Sequence, residues 1–287
     1  MIIQKSTEWI PLKLQGNIPL VDAQIGDKSV CFILDSGANS TILNATYYQH
    51  TQDYDGKIPE GSTGSISIQG NITIPSLSCL GLEATDYDAM VMPLNHLEQS
   101  LGCRIDGLIG FTFIQDYALE LDYANQRVRL LTKEQIPSVA SGMKLIPLDR
   151  HKHLGITSSR VHGSLFRWIL DTGASRNMVD SSWSTHLPKE WINLPEEELI
   201  GASPTDAPVV PRGTMGSIEM MDFVTDNPVF NVNDMGFLIA SMDALNKDLE
   251  KPCQGIMGFE LFKQGRCIID LDEKVFYWQA YDSMTAS

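Results

Sequence analysis

The chain has 287 residues, 43% of them apolar and 8% aromatic, enough to bury two compact cores and to exclude global disorder. A formal net charge of -15 argues against nucleic acid or an anionic membrane as a partner. Five cysteines (Cys31, Cys79, Cys103, Cys253 and Cys267) are odd in number, too sparse for a disulfide scaffold and free of any C-x-x-C pair, so a zinc ribbon does not fit.

In chain order, Met1-Ile2-Ile3-Gln4-Lys5 has neither the charged start nor the apolar run of a signal peptide, and no later stretch reaches the length of a membrane span. A cytoplasmic protein is expected if Met1 is native, a periplasmic or secreted one if a leader has been removed. Gly26-Asp27 reads as a hairpin turn into a strand where Val30, Phe32 and Leu34 alternate with Cys31 and Ile33. Apolar on both faces, that strand is predicted to be buried on both sides. It ends in Asp35-Ser36-Gly37-Ala38. Sequons at Asn39, Asn44 and Asn71 read as chance, because a glycan at Asn39 would obstruct this loop. Gly61-Ser62-Thr63-Gly64-Ser65 marks a glycine-rich hairpin. Gly107-Leu108-Ile109-Gly110 leads into a short helix, Phe111 to Asp116, and a hairpin of Leu119 to Asp122 with Arg127 to Leu131. A Cys79–Cys103 bridge has no positive support in the sequence. Lys133 to Met143, with Pro137 and Gly142, reads as a linker.

Beyond the linker the chain repeats itself. Ile10-Pro11-Leu12 returns as Ile146-Pro147-Leu148, and Ile33-Leu34-Asp35-Ser36-Gly37-Ala38 as Ile169-Leu170-Asp171-Thr172-Gly173-Ala174, both at an offset of 136 residues. Gly107-Leu108-Ile109-Gly110-Phe111 then matches Gly255-Ile256-Met257-Gly258-Phe259 at an offset of 148. The repeat divides the chain into lobes 1–133 and 145–287 joined by 134–144, each mostly β and barrel-like. In the second copy His151 and His153 form an H-x-H, expected in a solvated loop because further metal ligands are lacking. Phe166, Trp168 and Leu170 repeat the buried strand, although Arg167 breaks one face, and His162-Gly163 is its turn. Glu196 to Leu199 and Met242 to Leu249 are read as short helices, Phe259 to Gln264 as a third, and Cys267 to Leu271 with Val275 to Trp278 as the closing hairpin.

One carboxylate per copy, each in an Asp-Ser/Thr-Gly turn, can meet at a two-fold axis. Two carboxylates about 3 Å apart cannot both ionise and share a proton. Such a pair titrates as a unit: its ionised member takes a proton from water while its protonated member hydrogen-bonds a peptide carbonyl. Asp35 and Asp171 are the predicted pair. Gly-x-Ser-x-Gly and phosphate-binding glycine spacings are absent, so no covalent nucleophile, cofactor or metal is expected.

The Asp-Ser/Thr-Gly-Ala loops and the Gly-Leu-Ile-Gly and Gly-Ile-Met-Gly segments resemble those of two-lobed aspartic peptidases of the pepsin and retropepsin superfamily. The resemblance runs through both repeats. It implies a bilobal pepsin/retropepsin-like fold with a central cleft, catalytic Asp35 and Asp171, and Ser36 and Thr172 locking the two loops together. It further implies that Gly37 and Gly173 complete the tight loops, and that Gly107, Gly110, Gly255 and Gly258 pack beneath them. Pepsin-like enzymes carry Ser after Asp-Thr-Gly, whereas Ala38 and Ala174 stand here, as in retroviral enzymes. Losing a donor to the charged form implies an optimum less acidic than pepsin's. The pepsin-type flap Tyr is missing between Ile58 and Thr85, so Gly61 and Gly64 are expected in a glycine-rich flap, and Gly201 in a second one. The resemblance implies an endopeptidase acting as a monomer on extended peptide or protein segments. A catalytically silent peptide-binding or inhibitory protein is the alternative.

Overall fold

The computed structural model describes residues 2–4, 8–56, 60–61, 64–161, 163–186, 191–201 and 207–281. The fold is mostly β, with two large sheets and a smaller one between them. In the first half the strand Lys28–Leu34 pairs through a two-residue turn with Ile18–Ile25, placing Ile25 opposite Lys28. Gly26 takes φ +56° in that turn, a conformation that costs an L side chain strain. Val30, Phe32 and Leu34 face one apolar cluster, and Ile33 faces another with Leu20, Ile42 and Leu108. The strand is therefore enclosed on both faces, as its lack of a polar face requires.

The same strand runs parallel to Gly107–Ile109, which runs antiparallel to Ile42–Asn44. The second half repeats the arrangement in register: Ser164–Leu170 is parallel to Gly255–Met257, with Trp168 opposite Gly255 where Phe32 stands opposite Gly107. Phe166, Trp168 and Leu170 line the main core, while Arg167 reaches the carboxylate of Asp149 at 2.5 Å and the Lys251 carbonyl at 2.8 Å. The first sheet has nine strands and the second ten.

A six-stranded sheet joins the halves through Ala118–Asp122 and Gly265–Asp270, which pair Leu119 with Ile269 and Leu121 with Cys267. Between these pairs Glu120 is fully buried. It bonds Arg129 of its own half and Arg266 of the other, both at 2.5 Å. Trp168 and Trp278 are buried, whereas Trp9 lies half-exposed beneath the Arg127 and Arg129 guanidinium groups.

Two local expectations differ from the structure. Glu196 to Leu199 is not helical: Ile192–Glu198 is a strand paired with Val209–Met215, bulged between Leu194 and Glu197. Pro195 fits that bulge on an edge strand, and Glu197 is held by Arg212 at 2.7 Å and Arg176 at 3.1 Å. The helix in 242–249 is confined to Asp243–Asn246, and a helix at Asn95–Leu101, ending on Gly102 at φ 66°, had no clear sequence signature. All five cysteines are free thiols; Cys79 sits in the main core and Cys103 on a separate cluster, so no Cys79–Cys103 bridge forms. His162 lies outside the described residues. Among the described residues no helix is long and apolar enough to cross a membrane.

Candidate active site

Each buried strand delivers its aspartate to the junction of the halves. The Asp35 N–H donates to the Ile109 carbonyl and the Asp171 N–H to that of Met257, both at 3.0 Å. These bonds tie each loop to the glycine-flanked strand beneath it. The Phe111 N–H closes the first loop on the Ala38 carbonyl at 2.8 Å, and Phe259 does the same on Ala174 at 3.0 Å. The packing leaves no room for side chains. A Cβ on Gly107 would stand 2.2 Å from the Ile42 carbonyl oxygen, and one on Gly255 2.1 Å from that of Met178. At Gly110 and Gly258 the obstacles are the carbonyls of Ser40 and Ala174, at 2.4 and 2.3 Å.

The two loops grip each other reciprocally. The Ser36 N–H donates to Thr172 Oγ1 at 2.9 Å, and the Thr172 N–H donates to Ser36 Oγ at 3.0 Å. Thr172 Oγ1 in turn donates to the Leu34 carbonyl at 2.8 Å, and its side chain is buried. Replacing Thr172 with Val would leave the Ser36 N–H without an acceptor, at a cost of about 1–3 kcal/mol. Thr172→Ser keeps the hydroxyl and should cost much less; denaturant unfolding of both variants is the measurement, and equal stability would sink the lock.

The grip brings the carboxylates together. Asp35 and Asp171 are hydrogen-bonded to each other. A Cβ on Gly37 would lie 2.6 Å from Asp171 Cγ, and one on Gly173 2.6 Å from Asp35 Cγ, so each carboxylate rests on the opposite loop's glycine. The Gly37 and Ala38 N–H groups donate to Asp35 Oδ1 at 2.9 and 3.0 Å, and the Gly173 N–H to Asp171 Oδ1 at 2.8 Å. Ala38 thus supplies a backbone donor although its side chain has none. Both carboxylates sit deep in the protein yet keep some surface open to solvent. Burial and the Asp171 charge push Asp35 well above the ordinary carboxylate range. Burial also raises Asp171, against the backbone donor at Gly173 and the hydrogen bond from Asp35.

The flap expectations fall on segments that are partly described. Glu60–Gly61 pairs with Gly64–Ser65 in a two-stranded hairpin, while Ser62 and Thr63 lie outside the described residues. This hairpin stands next to the helix Asp243–Asn246 of the other half. The Gly201 carbonyl accepts a bond from His96 Nε2 at 3.0 Å in the first-half helix, and residues 202–206 lie outside the described residues.

Two contacts escaped the sequence reading. Tyr87 lies just past the Ile58-to-Thr85 stretch that lacks a flap tyrosine. Its hydroxyl bridges Thr41 at 3.1 Å and Thr112 at 2.9 Å, bracing the segments after the first loop and after Gly110. His153 is not in a solvated loop: it is largely buried, with Nε2 2.9 Å from the Gly37 carbonyl. An H-x-H far from Asp35 in sequence carries no signal of that contact. Among the described residues no cluster of side chains is suited to hold a metal ion.

This is an aspartic-protease-like fold with two carboxylates at its junction. A family model described as aspartyl protease matches residues 21–113, the stretch that carries Asp35 and Gly107 to Gly110. Among solved structures, basic 7S globulin from soybean superposes with a TM-score of 0.58 at 10% identity, over 97% of this chain and 96% of that one. Conglutin gamma, a basic 7S globulin from lupine seeds, gives 0.60 at 9% identity over the same shares. At such identities the likeness speaks for the fold alone. No curated protein sequence matches the chain.

Proposed function

We propose that the chain is an aspartic endopeptidase in which Asp35 and Asp171 activate a water molecule for attack on a peptide carbonyl. The observation that carries this reading is the pair of hydrogen-bonded carboxylates, each resting on the opposite loop's glycine. One proton is shared across the pair. Its ionised member accepts a proton from water, and its protonated member donates to the scissile carbonyl, giving a tetrahedral intermediate without a covalent adduct. The duplication, with Asp-Ser-Gly-Ala and Asp-Thr-Gly-Ala in one chain, supports a single-chain counterpart of the retroviral arrangement. In it, residues 1–133 and 145–287 each contribute one carboxylate to a monomer and 134–144 link them. The Gly61–Gly64 hairpin and the Gly201 segment would act as flaps over an extended substrate, which would add edge-strand hydrogen bonds and alternate side-chain contacts.

Activity requires one proton on the pair. The alkaline limb, where that proton leaves, and the acid limb, where a second arrives, both move up when burial raises the carboxylates. The window is therefore less acidic than that of a well-solvated pair. The test is digestion of an unfolded protein mixture between about pH 3 and 7, with and without a statine-type inhibitor, with cut sites mapped by mass spectrometry. Inhibitor-sensitive cuts are expected. Their absence at every pH would replace this reading with that of a silent peptide-binding protein.

A further inference from the structure

The repeat makes the two loops nearly equivalent in sequence, but one contact has no counterpart among the described residues. His153 lies in the turn between the strands Asp149–His151 and Leu154–Val161, and its Nε2 is 2.9 Å from the Gly37 carbonyl oxygen. A carbonyl only accepts, so Nε2 carries the proton and Nδ1 the lone pair. Nδ1 is buried and has no hydrogen-bond partner among the described residues. The ring packs on Phe111 with centroids 6.5 Å apart, and Arg150 lies over the same Phe111 ring at 5.2 Å. Burial outweighs the Gly37 bond and lowers the His153 pKa below its usual value.

The Gly37 carbonyl and the Ala38 N–H belong to one peptide group. That N–H donates to Asp35 Oδ1 at 3.0 Å. A continuous line of hydrogen bonds therefore runs from His153, through a single peptide unit, to the Asp35 carboxylate. A donor on the carbonyl of an amide polarises it and strengthens its N–H as a donor. At the repeat-related position stands Asn17, and among the described residues no side chain donates to the Gly173 carbonyl.

We propose that His153 is a positioning residue for the dyad: it fixes and polarises the Gly37–Ala38 peptide, orients Asp35, and makes the two carboxylates inequivalent. This rests on the peptidase reading above. The charged and titratable groups around the contact are Arg150, His151 and Lys152 on the same hairpin, with Asp35 and Asp171 flanking Gly37. Phe111, on the other packed element, brings no charge to it.

A strengthened donor favours the ionised carboxylate, so its loss should move the acid limb of activity to higher pH. The experiment compares wild type, His153→Leu and His153→Gln, whose amide retains an N–H donor. In His153→Leu the acid limb is expected to rise by a few tenths of a pH unit. Its kcat should fall by about tenfold, within the ~10²-fold that a small misplacement of a reacting group can cost, with KM little changed. His153→Gln should return both towards wild type. A purely structural role would lower activity equally at all pH values, and an unmoved limb, or Leu and Gln behaving alike, would overturn the proposal. The second arm is NMR. The ¹⁵N shifts of His153 in wild type should show a protonated Nε2 and a lone-pair Nδ1, and the ¹³C titration of the Asp35 carboxyl should move up in His153→Leu. The opposite tautomer, or an unmoved carboxyl, overturns it. Because this arm needs no turnover, a wild type that cleaves nothing would refute the peptidase reading while NMR still decides the role of His153.

Discussion

Asp35→Asn is expected to lower cleavage steeply and, at neutral pH, to make the protein more stable than wild type. Loss of the shared proton's acid/base function should lower turnover by about 10²- to 10⁴-fold. The stability gain follows from linkage. Asp35 titrates well above the ordinary 3.8 in the folded chain because burial and Asp171 disfavour its charge. Between these two values the folded protein holds a proton that the unfolded chain releases, so wild-type stability falls as pH rises through this interval. Asn carries no such penalty and retains an Oδ1 acceptor for the Gly37 and Ala38 N–H groups. The gain should be absent below about pH 4 and grow above it. Melting curves from pH 3.5 to 7.5 beside cleavage rates provide the check. Full turnover would end the dyad assignment; a uniform loss of stability at every pH would mean that burial and Asp171 do not disfavour the Asp35 charge.

Glu120→Ala is expected to give the largest loss of stability. The Glu120 carboxylate is fully buried between two arginines, one from each half, in the sheet that joins them. Removing one member of a buried charged network leaves the others unpaired, typically at about 3–5 kcal/mol. Arg129 and Arg266 keep 21% and 18% of their side-chain surface exposed, which favours the lower end. Urea unfolding measures it. Replacing all three residues by apolar side chains of similar volume should recover much of the loss, because the desolvation cost of the charges goes with them. A Glu120→Ala loss below about 1 kcal/mol would show that the network contributes little.

The features legible in the sequence are those whose cause is local or repeated. Strand Lys28–Leu34 has no polar face, so burial on both sides follows from its composition, and the structure encloses it between two clusters. Gly107 and Gly255 stood out because identical spacing recurs, and the structure gives the reason: a carbonyl lies where their Cβ would be. The failures share the opposite origin. Glu196 to Glu198 suits a helix by propensity, but pairing with Val209–Met215 and the arginines at Glu197 decides for strand. The helix Asn95–Leu101 is set by packing of Leu94 and Leu101 into an apolar cluster, with little propensity signal of its own.

By itself, the sequence determined the recurrence of its motifs, the β character of the fold, and the two Asp-Ser/Thr-Gly-Ala turns. The first two rest on motifs that recur at offsets of 136 and 148 residues and on apolar alternation, and the turns on local turn chemistry. Only the tertiary structure decided which groups meet across the junction. His153 finds Gly37 over 116 residues, Arg266 finds Glu120 over 146, and His96 finds Gly201 over 105. No short-range pattern encodes such pairs, because each partner's local sequence suits a solvated loop or strand equally well. The contact exists only once burial has removed water as the competing partner.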